Sequence, residues 1–260
     1  MTPINDFANA LRQAADALRG AKQVVVLTGA GVSKESGVPT FRDAQEGLWA
    51  RYDPQELATP DAFRRNPRLV WEWYAYRRDM LKKVTPNPGH YALVRMESLF
   101  GKVVVITQNV DGLHRSAGST DVIELHGNIT KFKCFADCQG APTSVDLDSF
   151  EWDQAEVPPR CPHCTTAYVR PDIVWFTEAL PAEALHRAAN LAQTCDVLLV
   201  VGTSGMVQPA ASLPYTAKRW GKATVIDVNP FPDEIEAMAD VVIRAPSGEA
   251  LPELVRLLEE

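Results

Sequence analysis

The chain has 260 residues, 46% of them hydrophobic, and 33 acidic against 26 basic side chains give a net charge of −7. Such a length suits one large α/β domain with a smaller satellite, and the composition is that of an ordinary globular protein. The acidic balance argues against a surface built to neutralise nucleic-acid phosphates, so protein or small-molecule partners are expected and direct nucleic-acid binding is not.

Phe7, Leu11, Ala14 and Leu18 recur at helical spacing, while Asp6 and Asp16 interrupt any continuous apolar run. The N-terminal stretch therefore predicts an amphipathic helix rather than a secretory or transit peptide. No run approaches membrane-spanning length, and a cytoplasmic location without membrane contact is expected. Short β-branched runs follow at Gln23–Leu27, Lys102–Ile106, Asp121–Leu125, Asp196–Val201, Ala223–Val228 and Asp240–Ile243. They are near-continuously apolar, the form taken by strands buried on both faces of a parallel sheet. Helical stretches, among them 86–99 and 181–193, lie between them.

Most of these strands end in polar or glycine motifs: Thr28-Gly29-Ala30-Gly31, Thr107-Gln108-Asn109, His126-Gly127, Gly202-Thr203-Ser204 and Asn229. The carboxyl ends of parallel strands border the ligand crevice of an open sheet, so the motifs are predicted to converge there. Two regions stand apart from the sheet. Residues 40–85 are aromatic and helical in pattern, and 129–176 hold paired cysteines. Both read as insertions that form a small domain over the crevice, leaving 1–39, 86–128 and 177–260 for the sheet domain.

Cys134 and Cys138, then Cys161 and Cys164, form Cys-x3-Cys and Cys-x2-Cys pairs separated by a loop, the sequence form of a tetrahedral zinc site. Two disulfides are the alternative, but the spacing in a chain of this length fits a metal in a reducing compartment better. Four sulfurs close the shell without His163, so the ion is expected to be structural. Cys195, the fifth cysteine, opens an apolar run and reads as a small buried hydrophobe. The expected fold class is α/β: a doubly wound parallel (Rossmann-like) sheet with a second, smaller zinc-binding and helical domain.

Gly29-Ala30-Gly31 after a hydrophobic strand suggests a turn where backbone amides approach a pyrophosphate at a helix start. A tight turn with no ligand is the plainer alternative. The dinucleotide fingerprint's third glycine is replaced by Lys34, and an aromatic helical stretch stands where a second strand would end in an acid. Both departures speak against a hydride-transfer dehydrogenase.

The run Gly29-Ala30-Gly31-Val32-Ser33-Lys34-Glu35-Ser36-Gly37-Val38-Pro39-Thr40-Phe41-Arg42 resembles the signature of the sirtuins, NAD-dependent protein deacylases. The similarity continues through Thr107-Gln108-Asn109-Val110-Asp111-Gly112-Leu113-His114, His126-Gly127, the paired cysteines, Val174-Trp175-Phe176, Gly202-Thr203-Ser204 and Val228-Asn229. These segments run in family order over most of the chain. The resemblance implies an enzyme that consumes NAD as co-substrate and acts on acyl-lysine proteins.

By that resemblance His126 is the general base toward the ribose hydroxyls, a task suited to imidazole near neutral pH. Gln108, Asn109 and Asp111 line the nicotinamide and ribose pocket; Gly29, Ala30, Gly31, Phe41 and Arg42 belong to the cofactor loop. Gly202, Thr203, Ser204 and Asn229 hold the adenosine half. The substrate backbone is expected to add as a strand beside Val174, Trp175 and Phe176. His114 reads as structural.

Tyr74 and Arg77 are three apart, hence on one helical face, and present a hydroxyl and a guanidinium together. The pair looks like the Tyr-x-x-Arg of the class III branch, which prefers lysines carrying succinyl, malonyl or glutaryl groups. Arg78 also shares a face with Tyr74, so the choice of Arg77 rests on the family match. The implied reaction removes acidic short acyl groups and some acetyl, releasing nicotinamide and O-acyl-ADP-ribose. Two rivals stand beside it: mono-ADP-ribosyl transfer to a protein, and a non-enzymatic NAD-sensing regulator.

Overall fold

The computed structural model describes residues 3–39 and 52–260, so Phe41 and Arg42 lie outside the described residues. The strands are β1 (Gln23–Thr28), β2 (Lys102–Thr107), β3 (Val122–Glu124), β4 (Gly127–Cys134), β5 (Ser144–Val145), β6 (Val169–Ile173), β7 (Val197–Val201), β8 (Thr224–Val228) and β9 (Val241–Ile243). The helices are α1 (Pro3–Arg19), α2 (Ala30–Lys34), α3 (Pro54–Leu57), α4 (Pro60–Arg65), α5 (Pro67–Leu81), α6 (Pro88–Leu99), α7 (Leu113–Ala117), α8 (Ala182–Thr194), α9 (Leu213–Thr216) and α10 (Ser247–Glu259).

All six runs expected to be strands enter one parallel sheet in the order β3-β2-β1-β7-β8-β9. Alternate side chains of a strand point to opposite faces, and both faces here are covered. Val24, Val26, Val105, Leu199 and Ile226 pack with α1, α6 and α10. Val25, Leu27, Val104, Ile106 and Leu198 pack with α8 and α9. The chain leaves β1 in one direction and β7 in the other, so the switch point of the Rossmann-like sheet falls between those two strands.

Three aspartates expected to open strands lie just outside them and serve as anchors. Asp196 accepts from the Lys22 and Gln23 amides at 2.8 and 2.9 Å, tying the start of β7 to β1. Asp240 likewise accepts from the Val225 amide at 2.9 Å, and Asp121 pairs with Arg187.

A second, antiparallel sheet of order β5-β4-β6 was not read from the sequence. It begins one residue after His126, and its cue is weak because exposed Lys131 and half-buried Lys133 interrupt the apolar face of β4. Helix α5 joins this sheet to the crevice. Trp73 and Tyr74 pack with Phe63, Ile129 and Trp175, whereas Trp71 packs with Cys134, Val145, Cys161 and Val169. Asn66 caps α5 by accepting from the Leu69 amide at 3.1 Å, and Pro67 opens it, a strong local helix start.

Candidate active site

The tips of β1 and β7 interlock through backbone. Gly31 N–H donates to Gly202 O at 2.8 Å, and Gly29 N–H donates to Val201 O at 3.1 Å. Gly202 has φ of 60°, and a Cβ there would lie 2.5 Å from Val32 N. Only glycine allows so close an approach at that backbone angle. Gly202→Ala is therefore expected to lower the unfolding free energy by about 2–4 kcal/mol, the left-handed cost plus overpacking, measured by denaturant titration.

Gln108, Asn109 and Asp111 follow β2 and border a cavity of about 140 Å³, which Ala30 and Ser33 of α2, Arg77 of α5 and Ile129 of β4 also line. Asn109 spends both side-chain N–H donors internally, on Gly29 O at 2.9 Å and Ser33 Oγ at 3.1 Å. Its Oδ1 is the atom it can offer a ligand. Burial raises the Asp111 carboxyl above its usual range, while a bond from the Leu113 amide at 2.9 Å and one from Ser33 oppose the rise. Ser33 was not expected as a site residue from the sequence. Its place three residues after Ala30, on the same helical face, was the available signal.

His126 stands between β3 and β4, with Nδ1 2.9 Å from Gln108 O. A carbonyl only accepts, so Nδ1 carries the proton and Nε2 keeps a free lone pair. Burial lowers the imidazole below its ordinary 6.5, and the Gln108 contact acts weakly the other way. The ring is thus neutral and basic at physiological pH. Gly127 has φ of 79°, and a Cβ there would meet Asp172 O at 2.1 Å, so the turn after His126 also requires glycine. Gln108 is itself oriented by donating from Nε2 to Thr203 Oγ1 at 2.9 Å.

Asn229 follows β8 and donates from Nδ2 to Thr203 O at 3.2 Å and to Asp233 Oδ2 at 2.6 Å. Arg244 holds the same turn by donating to Asn229 O and Phe231 O, both at 3.1 Å. Gly202 and Thr203 thus stand directly against Gly29 and Gly31, Asn229 is tied to Thr203, and Ser204 O accepts from the Glu234 amide at 3.3 Å.

The two arginines of α5 diverge. The Arg77 guanidinium lies 5.1 Å from the Trp73 ring and borders the cavity. That of Arg78 sits over Trp71 and Phe132, at 5.2 and 4.8 Å, on the cysteine-bearing side. Tyr74 is buried, stacked on Trp175 with centroids 6.2 Å apart, and its phenol is pushed up to about 12 by burial, partly offset by Arg77 beside it. It remains a protonated donor next to the guanidinium.

Val174, Trp175 and Phe176 continue β6 past the crevice. Their amides are already engaged, by His126 O at 2.9 Å, Glu178 Oε2 at 2.8 Å and Ala58 O at 2.9 Å. Trp175 is only 1% exposed, under Arg170 at 3.2 Å, whereas Phe176 is 43% exposed. Of the three side chains, Phe176 offers the most surface, Val174 is half-buried and Trp175 offers almost none.

Cys134 at the end of β4 and Cys138, Cys161 and Cys164 place their sulfurs within 4.8 Å of one another. Cys134 and Cys164 are 3.9 Å apart, as are Cys138 and Cys161. Disulfides need about 2.05 Å, whereas four sulfurs at about 2.3 Å from one tetrahedral zinc stand about 3.8 Å apart. The donors fit zinc, which would cross-link the two cysteine pairs. Metal removal by a strong chelator is expected to release one zinc per chain, expose 135–168 to proteolysis and abolish activity.

The profile of the Sir2 family matches residues 29–209. An NAD-dependent protein deacylase of Ralstonia nicotianae is 50% identical over 254 residues, covering 98% of this chain and 99% of that protein. The crystal structure of a Sir2 homologue in complex with NAD superposes with a TM-score of 0.85 at 41% identity, covering 95% of this chain and 93% of the other. A Sir2 protein bound to a myristoylated histone peptide gives a TM-score of 0.74 at 38% identity, over 97% of each chain. Among the described residues, no helix is long and apolar enough to cross a membrane.

Proposed function

Because the chain belongs to the Sir2 family and is an NAD-dependent protein deacylase, we propose that it removes succinyl and malonyl groups, and more weakly acetyl, from protein lysines. The products are nicotinamide, the free lysine and O-acyl-ADP-ribose. The observation that carries the acyl preference is the position of Arg77: it borders the same cavity as Gln108, Asn109 and Asp111, with the protonated Tyr74 beside it. A guanidinium there offers two parallel charge-assisted bonds to a carboxylate-tipped acyl chain.

The remaining assignments are part of the same proposal. Asn109 Oδ1 and the Asp111 carboxylate are acceptors on the cavity wall, the complement of a carboxamide NH2. The amides of Gly29, Gly31 and Gly202 are spent on the carbonyls of Val201, Gly202 and Val228, so what these glycines offer a pyrophosphate is close approach to unbranched backbone rather than those donors. Phe41 and Arg42 are assigned to the cofactor loop by the family resemblance. Thr203, Ser204 and Asn229 take the adenosine half. Attack by the acyl oxygen on the ribose carbon displaces nicotinamide, and His126 Nε2 takes the proton of a ribose hydroxyl. Acylated peptides are the substrate class, as in the peptide-bound relative, with Phe176 and the Val174 carbonyl as contacts.

The test is mass spectrometry of matched acetyl-, succinyl- and malonyl-lysine peptides with and without NAD. Faster NAD-dependent loss of the acidic acyl masses is expected. Equal rates on all three would overturn the acyl assignment, and a gain of ADP-ribose mass would indicate transferase chemistry instead.

A further inference from the structure

Two buried histidines that do not line the cavity are used by none of these steps. His90 in α6 is fully buried, His114 in α7 is 2% exposed, and their ring centroids are 4.8 Å apart. Burial keeps both neutral, His90 at about 4 and His114 at about 3, the latter lowered further by its neighbour.

Their partners fix their protons. The Asn87 backbone N–H can only donate, and it points at His90 Nδ1 from 3.3 Å, so the His90 proton is on Nε2. Thr28 donates its hydroxyl to Thr107 Oγ1 at 2.8 Å, so His114 Nε2, 2.9 Å from Thr28 Oγ1, donates to it. That leaves His114 Nδ1 as a bare acceptor. The leftover donor and the leftover acceptor are both buried and unpartnered among the described residues. Each unpaired polar atom is costly, and a single buried water accepting from one ring and donating to the other satisfies both.

We propose that His90 and His114, joined through one buried water, are positioning residues that lock the two walls of the NAD pocket together. The hydrogen-bond path starts at the Asn109 amide, which donates to Thr107 Oγ1 at 3.0 Å. It continues through Thr28, His114, the water and His90 to Asn87, whose Nδ2 donates to Val32 O at 2.7 Å and Ser36 Oγ at 2.9 Å. One end sets Asn109 and the other sets α2, which carries Ala30 and Ser33. The inference rests on the cavity being the NAD site, not on the acyl preference.

The experiment compares His114→Phe, His90→Phe and His114→Gln with the parent enzyme in steady-state kinetics and thermal melts. The Phe variants are expected to raise KM for NAD about tenfold, with kcat and the KM for acyl peptide little changed, and His114→Gln, which restores a donor to Thr28, is expected to return KM to within about twofold. A fall in melting temperature with NAD KM unchanged would make the pair merely structural and overturn the proposal. Imidazole 15N shifts of the parent provide a measurement independent of any variant. Protons on Nε2 of both rings are expected, and a proton on His114 Nδ1 would break the path. NAD KM is read on whichever acyl peptide turns over, so lost acid selectivity would sink the proposed function while leaving this test intact.

Discussion

Arg77→Met is expected to cost about 2–4 kcal/mol of selectivity for succinyl- over acetyl-lysine peptides, roughly a 30- to 900-fold change in the ratio of their kcat/KM values. The size follows from where the guanidinium lies. It is largely withdrawn from water, enough for burial to lower its pKa, and it borders the cavity that Gln108, Asn109 and Asp111 share. A carboxylate brought there exchanges water for a bidentate partner, an interaction an acetyl group cannot make. Methionine keeps most of the length and apolar surface, so acetyl turnover should change little. Arg78→Met is the control. That guanidinium lies over Trp71 and Phe132, so its loss should touch stability by about 1 kcal/mol and leave the acyl ratio unchanged. Equal losses on both substrates with Arg77→Met would remove the carboxylate assignment.

The same pair of arginines shows where sequence reasoning reaches its limit. Spacings of three and four residues from Tyr74 place both on its face of α5, and local periodicity cannot rank them. What separates them is long-range: Phe132 arrives on β4, far later in the chain, and gives Arg78 an aromatic seat away from the crevice. The six parallel strands were legible because burial on both faces leaves short continuous Val and Ile runs, and their β-branched content and short length favour strand over buried helix. Strands β5 and β6 were not, since two residues at Ser144 and a proline at Pro171 carry no periodicity. The crevice motifs were readable one at a time, but their interlocking was not: the ban on a side chain at Gly202 comes from Val32, far away in sequence. Nothing in the helical stretch 86–99 marks His90, because its meaning depends on the ring of His114 standing against it.

His126→Asn is expected to cut turnover on every acyl substrate by about 10²–10⁴-fold while leaving the fold intact, because asparagine can still donate to Gln108 O but offers no base. The pH profile of the parent enzyme tests the same assignment with a definite sign. Burial depresses the His126 pKa below 6.5, so the neutral, working ring persists through neutrality and is lost only as pH falls through that lowered value. The acidic limb of kcat/KM should thus have its midpoint below 6.5 and vanish in the Asn variant. Acid also attacks stability, and the two effects must be told apart. His90 and His114 are depressed to about 4 and about 3, so below 6.5 the unfolded chain binds protons that the native chain refuses. Their penalty grows by up to about 2.7 kcal/mol per pH unit for the two together, continuing until pH reaches the native values. Loss of activity that begins while circular dichroism is unchanged, and that reverses on returning to neutral pH, belongs to His126. Loss that tracks unfolding belongs to the buried pair, and a midpoint at or above 6.5 with the fold intact would mean that a different group takes the proton.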